Sequence, residues 1–247
     1  MPGPIDVAFT FLFVVMTIVE QVYFWPRFRA DADAGRPRTR PRAYRAIILG
    51  EWLFTFAAIA IWRANDRSWA ALSLSLPHGW RLVLGAVLVL VLVALMWWQF
   101  AAVARISTAR RVATRSKVGV LGFMIPRTRE EQLWFFLLSA TAGFCEELLY
   151  RGYLPWLFAP WLGTIGSMGL AVLLFGFSHT YQGRVGIVKV LITGVVMAMV
   201  VLATRSLIPA MLLHALIDAE GGTVGYLLMR DDQSSASMTS APSPGRA

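Results

Sequence analysis

The chain has 247 residues, of which 57% are hydrophobic and only 15% charged, and it carries a net charge of +9. That balance excludes a soluble domain of ordinary composition and points to a membrane-embedded protein. The basic surplus does not imply nucleic acid, because no basic-aromatic binding module accompanies it; attraction to the anionic headgroups of a lipid bilayer accounts for it.

In chain order, windows of about 19 residues place apolar spans at Val7–Trp25, Ala46–Trp62, Leu82–Ala104, Leu133–Leu149, Trp161–Phe177, Val185–Ala203 and Leu207–Met229. The expected fold class is therefore all-α, a polytopic transmembrane helical bundle of about seven spans, since lipid leaves no partner for free backbone groups. Pro209 lies near the start of the last span, and Gly221-Gly222 is expected to end it early. The first span lacks a positive leader and a small-residue cleavage site, so it reads as an uncleaved anchor. Arg27, Arg29, Arg36, Arg38, Arg40, Arg42 and Arg45 lie between spans one and two. Arg105, Arg110, Arg111, Arg115, Lys117, Arg127 and Arg129 lie between spans three and four. These loops fall on one side, which the positive-inside rule makes cytoplasmic, with the N-terminus outside. The expected location is the plasma (inner) membrane of a prokaryote. The stretch Arg105–Gly122 is read as lying along the interface. Residues 1–125 form the N-terminal helices with their basic loops, 126–230 a catalytic core, and 231–247, polar and rich in Ser and Pro, a disordered tail.

The segment AGFCEELLYRGYL puts Glu146, Glu147 and Arg151 inside an apolar stretch. Ionised groups at a helix centre are costly, roughly 2.5–3.5 kcal/mol each on insertion scales, and usually face a bundle interior. Glu147 and Arg151 are four residues apart, the spacing of an internal ion pair that fixes the helix. Glu146 points about 100° away from Glu147 and has no such partner; a lone carboxylate in apolar surroundings suits a general base. Further on, LLFGFSHTYQG places His179 four residues after Phe175, and MLLHALIDAEGG places His214 and Asp218 one turn apart on one face. There the carboxylate can orient the imidazole, or both side chains can point into a shared cavity. Cys145 is a small core residue with no feature that would activate its thiol. Glu20, Glu51 and Lys189 lie near span ends, where snorkelling or pairing with loop arginines accounts for them; Glu220 reads as a helix-end carboxylate. Thr128 and Glu131 form a Thr-x-x-Glu capping box at the mouth of the fourth span.

EELLYRG, FGFSH and HALID, in this order on successive apolar helices and preceded by PRTREEQ, resemble the signature of the CPBP intramembrane proteases, the Rce1-like or Abi family that includes CAAX prenyl endopeptidases. The likeness covers roughly Pro126 to Gly222 and leaves the first hundred residues as membrane spans only. It implies an integral-membrane endopeptidase acting on a peptide or protein substrate, prenylated or not, with catalytic residues Glu146, His179, His214 and Asp218. Glu146 and His179 would activate water, and His214 and Asp218 would face the developing oxyanion. Many relatives carry Asn where this chain has Asp218, so Asp218 is expected to accept from His214 and leave that imidazole as the donor. Glu146, His179 and His214 are also a plausible ligand set for a divalent metal such as zinc. A metal-free mechanism is equally compatible, and the cofactor stays open. The alternative from another class is a catalytically idle membrane binding protein of the bacteriocin-immunity type. A proton-relaying transporter is weaker because no internal repeat is present.

Overall fold

A computed structural model of the chain describes residues 1–105, 113 and 119–229; most of the Arg105–Gly122 stretch and the 231–247 tail lie outside the described residues. Among those residues the structure is helical, without strands. It comprises α1 (Pro4–Val19), a π-helical turn (Glu20–Phe24), α2 (Trp25–Asp33), α3 (Thr39–Ala64), α4 (Trp80–Arg105), α5 (Arg129–Glu146), a second π-helical turn (Glu147–Tyr153), α6 (Leu154–Ser178), α7 (Gly183–Thr204) and α8 (Leu207–Met229). The protein is an integral, multi-pass membrane helical bundle.

Among the described residues six helices are long and apolar enough to cross a membrane, rather than seven separate ones. The difference lies in Arg129–Ser178, a 50-residue run that contains both expected spans in that region. It is not straight. Gly163 has φ 65° and ψ 177°, three residues after Pro160, and the chain doubles back there. Phe175 consequently packs against Tyr150 with ring centroids 5.2 Å apart, although it is 25 residues further along the chain. A glycine is needed at this turn because a side chain tolerates positive φ poorly. The last helix also departs from expectation. It continues through Gly221-Gly222 to Met229, because packing against α5 outweighs the weak helix propensity of the two glycines.

Helix α5 is central. It packs most extensively against α8 and α3. Its start is capped by Thr128, whose Oγ accepts from the Glu131 amide at 3.2 Å. The other half of the expected box is displaced by one residue, for Glu131 accepts from the Arg127 amide at 2.7 Å instead of that of Thr128. Glu130 in the same turn takes Arg38 at 3.3 Å and Arg45 at 3.7 Å, which brings the first basic segment to the end of the bundle where Arg127 and Arg129 lie. In contrast, α4 shows lipid-type exposure, with Leu90, Trp97 and Trp98 all outward.

The core crosses the boundary expected near residue 125. Phe9 and Phe13 of α1 and Trp62 of α3 join Leu148, Tyr153, Phe175 and Leu213 in one apolar cluster. A buried charge fastens this arrangement. Asp6, fully buried, receives both guanidinium ends of Arg67 at 2.7 Å, the Tyr153 hydroxyl at 2.7 Å and the Gly3 amide at 2.7 Å. Arg67 lies over the Trp156 ring at 4.4 Å, and its bonds to Asp6 hold the guanidinium more firmly protonated than usual. Removing one partner from a buried ion pair strands the other without compensation, at about 3–5 kcal/mol. Asp6→Ala is therefore expected to destabilise by about that amount, and Asp6→Ala/Arg67→Met by less than the sum of the single changes. Thermal unfolding in detergent measures both; additive effects would refute the coupling.

Candidate active site

The second π-helical turn begins at Glu147, directly after Glu146, so the acidic pair sits where the helix changes its winding. Such turns re-aim side chains and are frequent at functional sites. Glu147 is fully buried. Its Oε1 accepts from Arg151 at 2.9 Å, forming the expected ion pair, and the same oxygen lies 2.8 Å from Nδ1 of His214 on α8. A carboxylate can only accept here, so Nδ1 carries the hydrogen and donates. The guanidinium of Arg151 lies 4.1 Å above the Phe175 ring, which compensates part of its buried charge by cation–π attraction.

This corrects two sequence expectations. Glu147 does more than neutralise Arg151, because it is the carboxylate that orients His214. Asp218 is not that carboxylate. Its Oδ2 is 3.7 Å from Nε2, the other ring nitrogen, and beyond hydrogen-bond length. Oε2 of Glu146 approaches the same Nε2 at 3.6 Å. The two glutamates thus address opposite nitrogens of one imidazole, which their angular divergence along the helix permits.

His179 follows the last residue of α6. Its Nδ1 is 2.9 Å from the Phe175 carbonyl and 3.0 Å from Ser178 Oγ. The carbonyl cannot donate, so Nδ1 holds the hydrogen and the neutral ring presents Nε2 as an acceptor. Phe175 spaces the histidines, with its centroid 4.5 Å from the ring of His179 and 5.9 Å from that of His214. Glu146, His179, His214 and Asp218 all line one cavity of about 760 Å³. The structure therefore brings Glu146, Glu147, Arg151, His214 and Asp218 into one charged network, with His179 on the same void.

Nothing of this cavity is closed by α5 to α8 alone. Phe13, Thr17 and Glu20 of the first helical run, Trp25, and Glu51 of α3 also line it. The expectation that the first hundred residues supply only spans is overturned. Glu51 does not fit the snorkelling or arginine-paired reading, since its Oε2 is buried without a hydrogen-bond partner, and Glu20 lies on the same void. Lys189 and Glu220 line the void as well. The signal was available, since both acids interrupt apolar spans as Glu146 does. Cys145 is buried and free, and is not part of the cavity wall.

A metal needs several convergent donors. Each of these histidines has its Nδ1 held, by Glu147 or by the Phe175 carbonyl, and one nitrogen apiece is left to face the cavity, which by itself is compatible with metal ligation. Among the described residues no three His, Cys, Asp or Glu side chains gather as a ligand set. Glu146, His179 and His214 are therefore not gathered as a three-donor set in this arrangement.

The position of His214 relative to the glutamates depends on a close approach between α5 and α8. At Gly143, a Cβ would stand 2.7 Å from the Met211 carbonyl oxygen and 2.8 Å from the Ala215 nitrogen, both backbone atoms that cannot swing aside.

Residues 128–219 match the family model described as type II CAAX prenyl endopeptidase Rce1-like. No curated protein and no solved structure matches the chain. The matched segment holds Glu146, Glu147, Arg151, His179, His214 and Asp218, while Glu20 and Glu51 lie outside it.

Gly143→Ala is expected to push α8 outward, costing about 1–3 kcal/mol and lengthening the His214–Glu147 contact. A Gly143→Ala protein as stable as wild type would show that this approach is not required. Glu147→Gln should weaken the fold more than Glu146→Gln, because only Glu147 compensates a buried guanidinium; equal melting temperatures for the two would contradict its dual role.

Proposed function

With an Rce1-like domain over residues 128–219, and hence an intramembrane endopeptidase at the level of the family, we propose that this chain hydrolyses a peptide bond by a Glu/His-activated water. The observation that carries the reading is the Glu146 side chain. One of its oxygens is without a hydrogen-bond partner, on the wall of a large cavity, 3.6 Å from a histidine whose far nitrogen is already held by Glu147.

The roles follow from donor and acceptor capacity. A water between Glu146 and Nε2 of His179 meets two acceptors and can direct a lone pair at a carbonyl carbon. As it attacks, its proton passes to Glu146 and the carbonyl oxygen becomes negative. His214, doubly protonated, donates from Nδ1 to Glu147 and offers Nε2–H to that oxygen. Asp218 beside Nε2 holds the imidazolium until substrate enters. Collapse of the tetrahedral intermediate breaks the C–N bond, and Glu146 returns the proton to the leaving nitrogen. The water's second proton, left on the new carboxyl group, passes to the leaving amine, so the products are a carboxylate and an ammonium group, and the carboxylate of Glu146 is restored.

The substrate is a CAAX-type or related peptide, prenylated where a lipid chain helps it enter among Phe13, Phe24, Trp25 and Phe135. The membrane is the prokaryotic plasma membrane with the basic segments on its cytoplasmic side; the contacts of Arg38 and Arg45 with Glu130 support a shared side for those segments.

The test uses purified protein in lipid nanodiscs and a quenched peptide ending in farnesyl-Cys, two aliphatic residues and Met, beside its unfarnesylated twin. Glu146→Gln and His214→Ala should each lose about 10²-fold or more in kcat with folding intact, and Cys145→Ser should match wild type. Dialysis against a chelator should leave the rate unchanged. A rate restored only by added zinc would replace this mechanism. Equal turnover by wild type and both variants would refute the site, and no turnover of any peptide by folded wild type would favour the idle binding protein.

A further inference from the structure

The turn that carries His179 is held by a residue far outside the matched segment. Gln21, in the first π-helical turn, donates from Nε2 to the Ser178 carbonyl at 2.7 Å. Its Oε1 accepts from the Thr180 hydroxyl at 2.8 Å and from the Tyr181 amide at 3.2 Å. The orientation of this amide follows from its partners, since a carbonyl can only accept and a backbone N–H can only donate. Four residues on, Trp25 stacks on Tyr181 with centroids 3.6 Å apart and planes 10° from parallel. Gln21 and Trp25 thus grip both sides of the segment Ser178–Tyr181, and His179 lies between the gripped residues.

The backbone groups involved need this partner. Ser178 ends α6 and its carbonyl is one that the helix itself leaves unbonded. The Tyr181 amide lies in the short 3₁₀ turn that follows. In apolar surroundings an unpaired amide group is unfavourable by a kcal/mol or more, so without Gln21 the turn would rearrange to find other partners. His179 would shift with it, because its backbone joins Ser178 to Thr180, both held by Gln21, while the Nδ1 bond to the Phe175 carbonyl secures only one nitrogen of the ring.

We propose that Gln21 is a positioning residue: through the Ser178–Tyr181 turn it sets where Nε2 of His179 faces the cavity, so that the first membrane helix is part of the catalytic apparatus. This rests on the proteolytic reading above for its effect on rate, though not for its effect on the histidine. The π-helical turn Glu20–Phe24 serves the same end, placing Glu20 on the cavity while Gln21 and Trp25 meet the turn.

The experiment compares wild type, Gln21→Ala, Thr180→Val, Gln21→Ala/Thr180→Val and Glu146→Gln in nanodiscs, with the farnesylated quenched peptide as probe. Ring-labelled histidine NMR is recorded on the same samples, the signals being assigned through His78→Asn, His179→Asn and His214→Asn. Gln21→Ala should lower kcat about 10–100-fold, the penalty typical of a reacting group displaced by about an ångström, with KM within about twofold. The double variant should equal Gln21→Ala rather than sum the two losses. The His179 ring signals should shift in Gln21→Ala while those of His214 hold. A Gln21→Ala protein that melts earlier yet keeps kcat and an unmoved His179 signal overturns the proposal, since a residue that only stabilises the fold would behave so. Wild type that cleaves no faster than Glu146→Gln overturns the protease reading alone, and the His179 signals then decide the role of Gln21.

Discussion

One carboxylate oxygen, Oε1 of Glu147, accepts from Arg151 on its own helix and from His214 on another. The rest of the site depends on this shared bond. A guanidinium inside an apolar bundle is tolerable only with a compensating anion, and an imidazole there points usefully only if one nitrogen is fixed. A single acid meets both needs, which leaves the adjacent Glu146 free of structural duty. Because successive helical residues diverge by about 100°, that freed carboxylate faces the opposite nitrogen of the same ring and the open cavity.

Asp6 is fully satisfied, whereas the charged groups around the cavity are not: Glu147 Oε2 and Arg151 Nε and Nη2 are also buried without a hydrogen-bond partner. Asp6 has four donors on its two oxygens, and an aromatic ring backs its cationic partner. It has nothing left to offer a ligand, and it joins the first helix to Tyr153 at the end of the second π-helical turn. Glu146 and Glu51 each keep a buried oxygen without a hydrogen-bond partner on the cavity wall. A folded protein keeps such groups where another requirement outweighs their desolvation. The two π-helical turns each begin beside a cavity-lining acid, one following Glu146 and the other starting at Glu20.

What the sequence made legible follows from range. Glu147 with Arg151 and His214 with Asp218 are four residues apart, so helical periodicity alone places each pair on one face. The hydropathy of each span and the cap at Thr128 are likewise local. Pairings across the fold have no such signature: Gln21 reaches Ser178 across 157 residues, and Glu147 reaches His214 across 67. The identity of the carboxylate that orients His214 was therefore misjudged in favour of the near one. Glu20 and Glu51 were visible as acids in apolar spans, but proximity to span ends lent them a bland explanation that only coordinates could remove. Two separate spans between Leu133 and Phe177 already imply a reversal; its place at Gly163, inside the window that opens at Trp161, is not legible because hydropathy carries no direction.

The family match ends well short of the groups that complete the cavity. Residues 128–219 hold every expected catalytic side chain, yet cut off from α1 and α3 they would expose Glu146 and the polar backbone of the Ser178–Tyr181 turn where the bundle now covers them. Hydrocarbon could solvate neither. The matched core therefore needs the N-terminal helices in order to enclose the cavity on which Glu146 and the two histidines lie. Those helices can vary widely in apolar sequence while meeting that need, provided a few polar side chains fall at the right height. Gln21 and Asp6 do so at well-separated heights on the first helical run, one on the turn that holds His179 and the other on Tyr153. Together they set the height and rotation of that helix against the acidic pair, which apolar packing in a lipid environment would specify only loosely.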